Sequence, residues 1–229
     1  MIVDNILLNY YSGIMLFELG SFSEEIHFYI GKLGKLNHHA ARLYNTVKDE
    51  LEEFKREVAD DLRKATSSEE RDWIYEMNEN DYLSLSDMIP RIIFEGIFLK
   101  SYFLYEHYIS LICDKIFDDY SAKSKIILKQ RDLSGKGVQR SINYLTKVWG
   151  ISLPNYNHQR IEDINYIRNC LAHNDGKLVG NSKISSPDEK LIVDNGDIEV
   201  SYEYVLSANN YFMAILSNIA FDLNSKGIK

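Results

Sequence analysis

The sequence predicts an all-α protein: a helical bundle with an N-terminal helical extension and a small β-hairpin inserted before the last helix. Three observations lead there. Apolar residues recur at spacings of three and four along most of the chain. Only 3 prolines and 12 glycines interrupt 229 residues. Two short apolar stretches flank Asp194-Asn195-Gly196, a hairpin signal.

The elements follow in order. From Ile26 a heptad-like stripe runs through Ile30, Leu33, Ala40, Tyr44, Val47, Leu51, Phe54 and Val58. It predicts a long helix ending near Lys64, weakened by Gly31 and Gly34 and interrupted at Asn37. Ser67-Ser68-Glu69-Glu70 fits a capping box opening a short helix to about Asn80. Ser86 is the expected N-cap of a second long helix, with Pro90 in its first turn. Ile93, Ile97, Tyr105, Tyr108, Ile112 and Ile116 make that helix central, and Phe94, Phe98, Phe103 and Leu104 widen its apolar surface. Ser121 to Lys129 reads as a short helix. Ser134-Gly135-Lys136-Gly137 leads into another over Val138 to Trp149. Pro154 breaks the chain before a helix from Tyr156 to about Asn174, which Gly176 stops in the left-handed position. Lys190–Val193 and Ile198–Val200 form the hairpin strands, and Tyr202 to Leu223 closes the chain. The division expected is an extension over 1–83 and a main domain over 84–229.

Composition narrows the function. The chain carries 34 acidic and 26 basic residues, net −8, which argues against coating nucleic acid by bulk charge. Residues 1–90 hold 18 acids and 9 bases, so the acidity sits in the N-terminal part. Residues 121–149 instead hold Lys123, Lys125, Lys129, Arg131, Lys136, Arg140 and Lys147 against Asp132 alone. Such a strip is either a phosphate-binding surface or a solvated helix face. Cys113 and Cys170 build neither a disulfide framework nor a tetrahedral metal site, so no metal and no cofactor is expected. Met1–Gly20 is apolar but carries Asp4, Asn5, Asn9 and Glu18, and reads as neither a signal peptide nor a membrane span. A cytoplasmic protein without membrane attachment is the expectation.

The richest segment for chemistry is Ile161 to Gly176. Arg168 and His173 lie five residues apart near the end of a helix, and Asn169 lies one turn before His173. RNA carries its own nucleophile, the 2′-hydroxyl. An imidazole can exchange the protons of that reaction, and a guanidinium can stabilise charge on the phosphate. The plain alternative is structural: His173 suits a helix C-terminus, and Arg168 can pair with Glu162 or Asp163. An ideal helix also separates positions i and i+5 by about 140°. Glu106, beside His107, offers a further acid–base pair or a buried hydrogen-bonded one. Gly135-Lys136-Gly137 is too short for an NTPase phosphate loop.

Arg168-Asn169-Cys170-Leu171-Ala172-His173 resembles the Arg-x4–6-His signature of the HEPN family (higher eukaryotes and prokaryotes nucleotide-binding), of the bacterial defence and toxin type. The order of elements, with Ser101–Tyr108 in a long helix and the Gly-Lys-Gly segment after it, is similar too. The resemblance covers roughly residues 84–225. It implies a HEPN-like bundle, often a homodimer with the motifs near the two-fold axis, and a metal-independent endoribonuclease. Arg168, Asn169 and His173 would then be catalytic, with Lys129, Arg131, Lys136 and Arg140 on RNA phosphates and Glu106 auxiliary. Partners implied are RNA and an antitoxin or regulatory protein. Members that bind RNA or nucleotides without cutting, or act as scaffolds, supply the alternative. A helical bundle with no site at all remains a third.

Overall fold

A computed structural model describes residues 21–178, 184 and 190–228. The Met1–Gly20 expectation therefore lies outside the described residues. The fold is all-α with one hairpin before the last helix, as the sequence predicts. The elements are α1 (Ser21–Lys64), α2 (Ser68–Leu83), α3 (Ile89–Ser124), α4 (Gly137–Asn143), α5 (His158–His173), β1 (Leu191–Asp194), β2 (Asp197–Val200) and α6 (Tyr202–Ser225). No helix among the described residues is long and apolar enough to cross a membrane.

Helix α1 runs 44 residues without the expected break. Asn37 is tolerated because α6 satisfies it: its Nδ2 donates to Asn210 Oδ1 at 3.2 Å, and Asn209 Nδ2 donates to its Oδ1 at 2.7 Å. The flanking glycines gain their helical state from packing rather than propensity. α1 lies antiparallel to α3, with Tyr29 stacked on Tyr108 at 4.1 Å and Tyr44 near Phe94. It lies antiparallel to α6 as well, Tyr44 stacking on Tyr202 at 4.5 Å. One core joins Phe22, Ile26 and Leu33 of α1 to Phe98, Tyr105 and Ile112 of α3 and Phe212, Ile215 and Ile219 of α6. Residues on both sides of position 83 thus share it.

Beyond Val47, α1 outruns its partners and projects with α2 folded back along it. Ser67 caps α2, its side chain accepting from Glu70 N–H. Glu70 answers by accepting from Thr66 N–H at 2.8 Å, so the box closes one residue earlier than predicted. The expected cap at Ser86 is absent. α2 passes into α3 through a π-helical turn, Ser84–Met88, in which Ile89 N–H donates to Ser84 C=O. Pro90 explains this: it has no N–H for the Ser86 carbonyl and its ring crowds that carbonyl, which a wider turn accommodates.

The C-terminal end of α3 also differs from expectation. The helix continues to Ser124, where Lys125 turns left-handed at φ 56°, and no separate helix covers 121–129. An extended stretch and a short 3-10 turn, Gln130–Asp132, follow. α4 ends in a second π-helical turn, Tyr144–Val148. The hairpin pairs Leu191 with Val200 and Val193 with Ile198. Its turn residues Asn195 and Gly196 have φ of 49° and 89°, the left-handed pair such a turn requires.

Candidate functional site

Helix α5 starts on an Asn157 cap, whose side chain accepts from Arg160 N–H. Ile161, Ile164, Ile167 and Cys170 turn inward. That leaves Arg168 on the flank facing α3 and His173 at the helix end. Gly176 stops the helix at φ 76°, donating to Cys170 C=O at 3.1 Å. A side chain there would press on Arg91 and the Ile198 carbonyl, so the glycine is required twice over.

Arg168 is nearly enclosed, its side chain 16% exposed. One terminal nitrogen donates to Asn169 Oδ1 at 2.7 Å and the other to Glu106 Oε2 at 3.4 Å. The guanidinium carbon sits 4.8 Å from the Tyr102 ring centre and 5.4 Å from that of Phe103. Its Nε is buried with no partner among the described residues. Tyr102 donates to Asn165 Oδ1 at 2.9 Å. Burial, then the Glu106 carboxylate, push the Tyr102 hydroxyl up to about 12, with Arg168 opposing.

Glu106 ties three segments together. One carboxylate oxygen holds Arg168, and the other lies where a Cβ on Gly137 would stand. Gly137 has φ 49°. The Gly-Lys-Gly loop therefore packs on the carboxylate that restrains the arginine. Glu106 thus bonds to Arg168 rather than to its neighbour His107. Glu162 instead pairs with His158 at 3.2 Å.

His173 is exposed and five residues from Arg168 on the same helix. Asn169 gives its amide oxygen to Arg168. Within one chain the two motif residues thus address different surroundings: Arg168 faces α3, and His173 faces solvent at the helix end. Near that end lies a charged group in which Arg91 Nε donates to Glu95 Oε1 at 2.9 Å. Burial raises Glu95 above the usual carboxylate range, Arg91 pulls it back, and Asp175 and Glu199 raise it further.

The basic residues spread out. Arg140 folds back, both Nε and Nη2 donating to the Gly135 carbonyl at 2.9 and 2.6 Å. Lys129 lies over the Phe117 ring at 4.7 Å. Arg131 and Lys136 are exposed. Among the described residues no group of three or more His, Cys, Asp or Glu side chains is placed to hold a metal ion.

Sequence reading missed the aromatic cradle of Arg168. The signal was present: Tyr102 stands four residues before Glu106, hence on the same helix face. Comparisons of the chain with protein-family models, with curated proteins and with solved structures give no match.

Proposed function

We propose that the chain is a metal-independent endoribonuclease of the HEPN type, a cytoplasmic toxin or antiphage-defence effector that cleaves RNA by 2′-hydroxyl attack. The observation that supports it is the pairing of a caged, under-satisfied guanidinium with an exposed imidazole at the end of one helix. His173 takes the 2′-hydroxyl proton as the O2′–P bond forms. The P–O5′ bond breaks, and a second imidazole protonates the departing oxygen. Arg168 stabilises the charge on the phosphate, trading its long contact with Glu106 for a bidentate one. Because Arg168 and His173 diverge within one chain, a homodimer supplies the complementary pair. Lys129, Arg131 and Lys136 line the approach for RNA, and an antitoxin or regulatory protein restrains the enzyme.

The test is cleavage of labelled single-stranded RNA in a chelator. The parent chain cuts it, leaving a 2′,3′-cyclic phosphate. His173→Ala lowers the rate by about 100-fold or more, and Arg168→Ala does so comparably. Cleavage by both variants at the parent's rate refutes the reading.

One observation favours a second reading, a non-catalytic RNA- or nucleotide-binding module or scaffold. Both terminal nitrogens of Arg168 already have protein partners. That reading predicts RNA retention without cleavage, unaffected by His173→Ala.

A further inference from the structure

Two surfaces at opposite ends of the molecule complement one another. The first is the projecting arm. Residues 67–88 hold seven acids and one base. Helix α2 buries only Ile74 and exposes Trp73 (59%), Tyr75, Met77, Tyr82 and Leu83. The exposed acids Asp72, Glu76, Glu79 and Asp81 stand between these rings and chains.

The second surface is the segment that leaves α3. Lys123, Lys125, Lys129 and Arg131 surround Ile127, which is 87% exposed, and Leu128. This segment is held in place. Lys125 turns the backbone, Tyr144 OH donates to the Leu128 carbonyl at 3.0 Å, and Gln130 accepts from Ser110 Oγ and donates to Ser141 Oγ. Ile127 is therefore presented to solvent by a fixed backbone, which lowers the entropy lost on docking.

The two surfaces do not meet within one chain, because the 36 residues of α3, about 54 Å of helix, stand between them. They meet between two chains. From Ser68 to Ser124 the backbone is helical throughout, and its exposed apolar residues Met88, Ile92, Phe103 and Leu111 recur at spacings of four, eleven and eight, along one face. Two copies laid antiparallel and crossing beside Phe103 bring Asp81 level with Lys123 and Glu79 with Lys125. Met77 then comes level with Ile127, and Trp73 and Tyr75 with Arg131 and Lys129. Acid meets base and apolar meets apolar at both ends at once.

We propose that the occupant of this face is a second copy of the chain, each arm docking on the partner's basic segment in a closed two-fold pair. The inference rests on exposure and charge alone; a chain that never cuts RNA associates in the same way. Where the basic strip also binds RNA, the arm competes with it.

The test is a charge exchange read by sedimentation of the full chain in about 50 mM salt, with tryptophan emission as a second measurement. The parent sediments at twice 26.6 kDa. Glu76→Lys, Glu79→Lys and Asp81→Lys together weaken association at least tenfold, roughly, as do Lys123→Glu, Lys125→Glu and Arg131→Glu together. All six positions are exposed, and circular dichroism verifies that both variants stay folded. Mixed one to one, the two variants pair again, because each altered surface now meets an opposite one. Trp73 emission shifts to shorter wavelength on pairing. The proposal is overturned by a parent that is monomeric at about 100 µM, by variants that pair as well as the parent, by a mixture that stays monomeric, or by a parent that binds RNA at the basic segment without self-associating.

Discussion

Gly137 is the residue on which the most depends locally. Its left-handed backbone and its contact with Glu106 both exclude a side chain. Gly137→Ala is expected to cost about 1–2 kcal/mol for the backbone alone, and to lower the melting temperature by roughly 2–8 °C. Adding Glu106→Ala removes the overlap but not the backbone cost, so a full return to the parent's melting point contradicts the account. The tyrosines give a pH prediction. Burial pushes Tyr102 and Tyr156 up to about 12 and Tyr105 well higher. A phenol whose folded pKa is raised favours folding below its unfolded value near 10 and loses that advantage as pH climbs through the folded value. Stability is thus expected to fall from about pH 10 to 12. Absorbance at alkaline pH should show a late tyrosine class that ionises together with unfolding; complete titration near pH 10 in a chain that keeps its helical signal contradicts this.

At the scale of elements, what the sequence disclosed was what local chemistry decides. The stripe from Ile26 to Val58, the Ser67 cap, the Asn195-Gly196 turn and the stop at Gly176 each depend on residues a few positions apart. Ser67→Ala is expected to destabilise the arm by about 1 kcal/mol, seen as faster proteolysis between 64 and 84 with little change in the melting of the core. What local chemistry does not decide stayed hidden. Asn37 reads as a breaker because its partners stand 172 and 173 positions away. The helix start at Ser86 reads well because nothing nearby reveals that α2 continues through it. The site divides likewise. Arg168, Asn169 and His173 are visible as a string, but the ring cradle and the Glu106–Gly137 contact arise only when α3, α4 and α5 come together.

For the molecule as a whole, one core carries the stability. Tyr105 stacks on Phe212 at 4.3 Å, both fully buried. Phe212→Ala is expected to cost about 3–5 kcal/mol, and because α1, α3 and α6 share that core, circular dichroism and tryptophan emission should report a single coincident transition. Two separated transitions would mean that the halves fold apart. The π-helical turn at Ser84–Met88 has a consequence at this scale. Each residue of an α-helix advances the azimuth by about 100°, so the wide turn sets the phase between everything before it and everything after. Deleting Ser86 lets the turn tighten into ordinary helix and swings α2 round by about that angle. Ile74 would leave its seat on α1, and Trp73 would point elsewhere. A lineage that gained or lost one residue here would aim the same helix at a different neighbour, with no change in its composition.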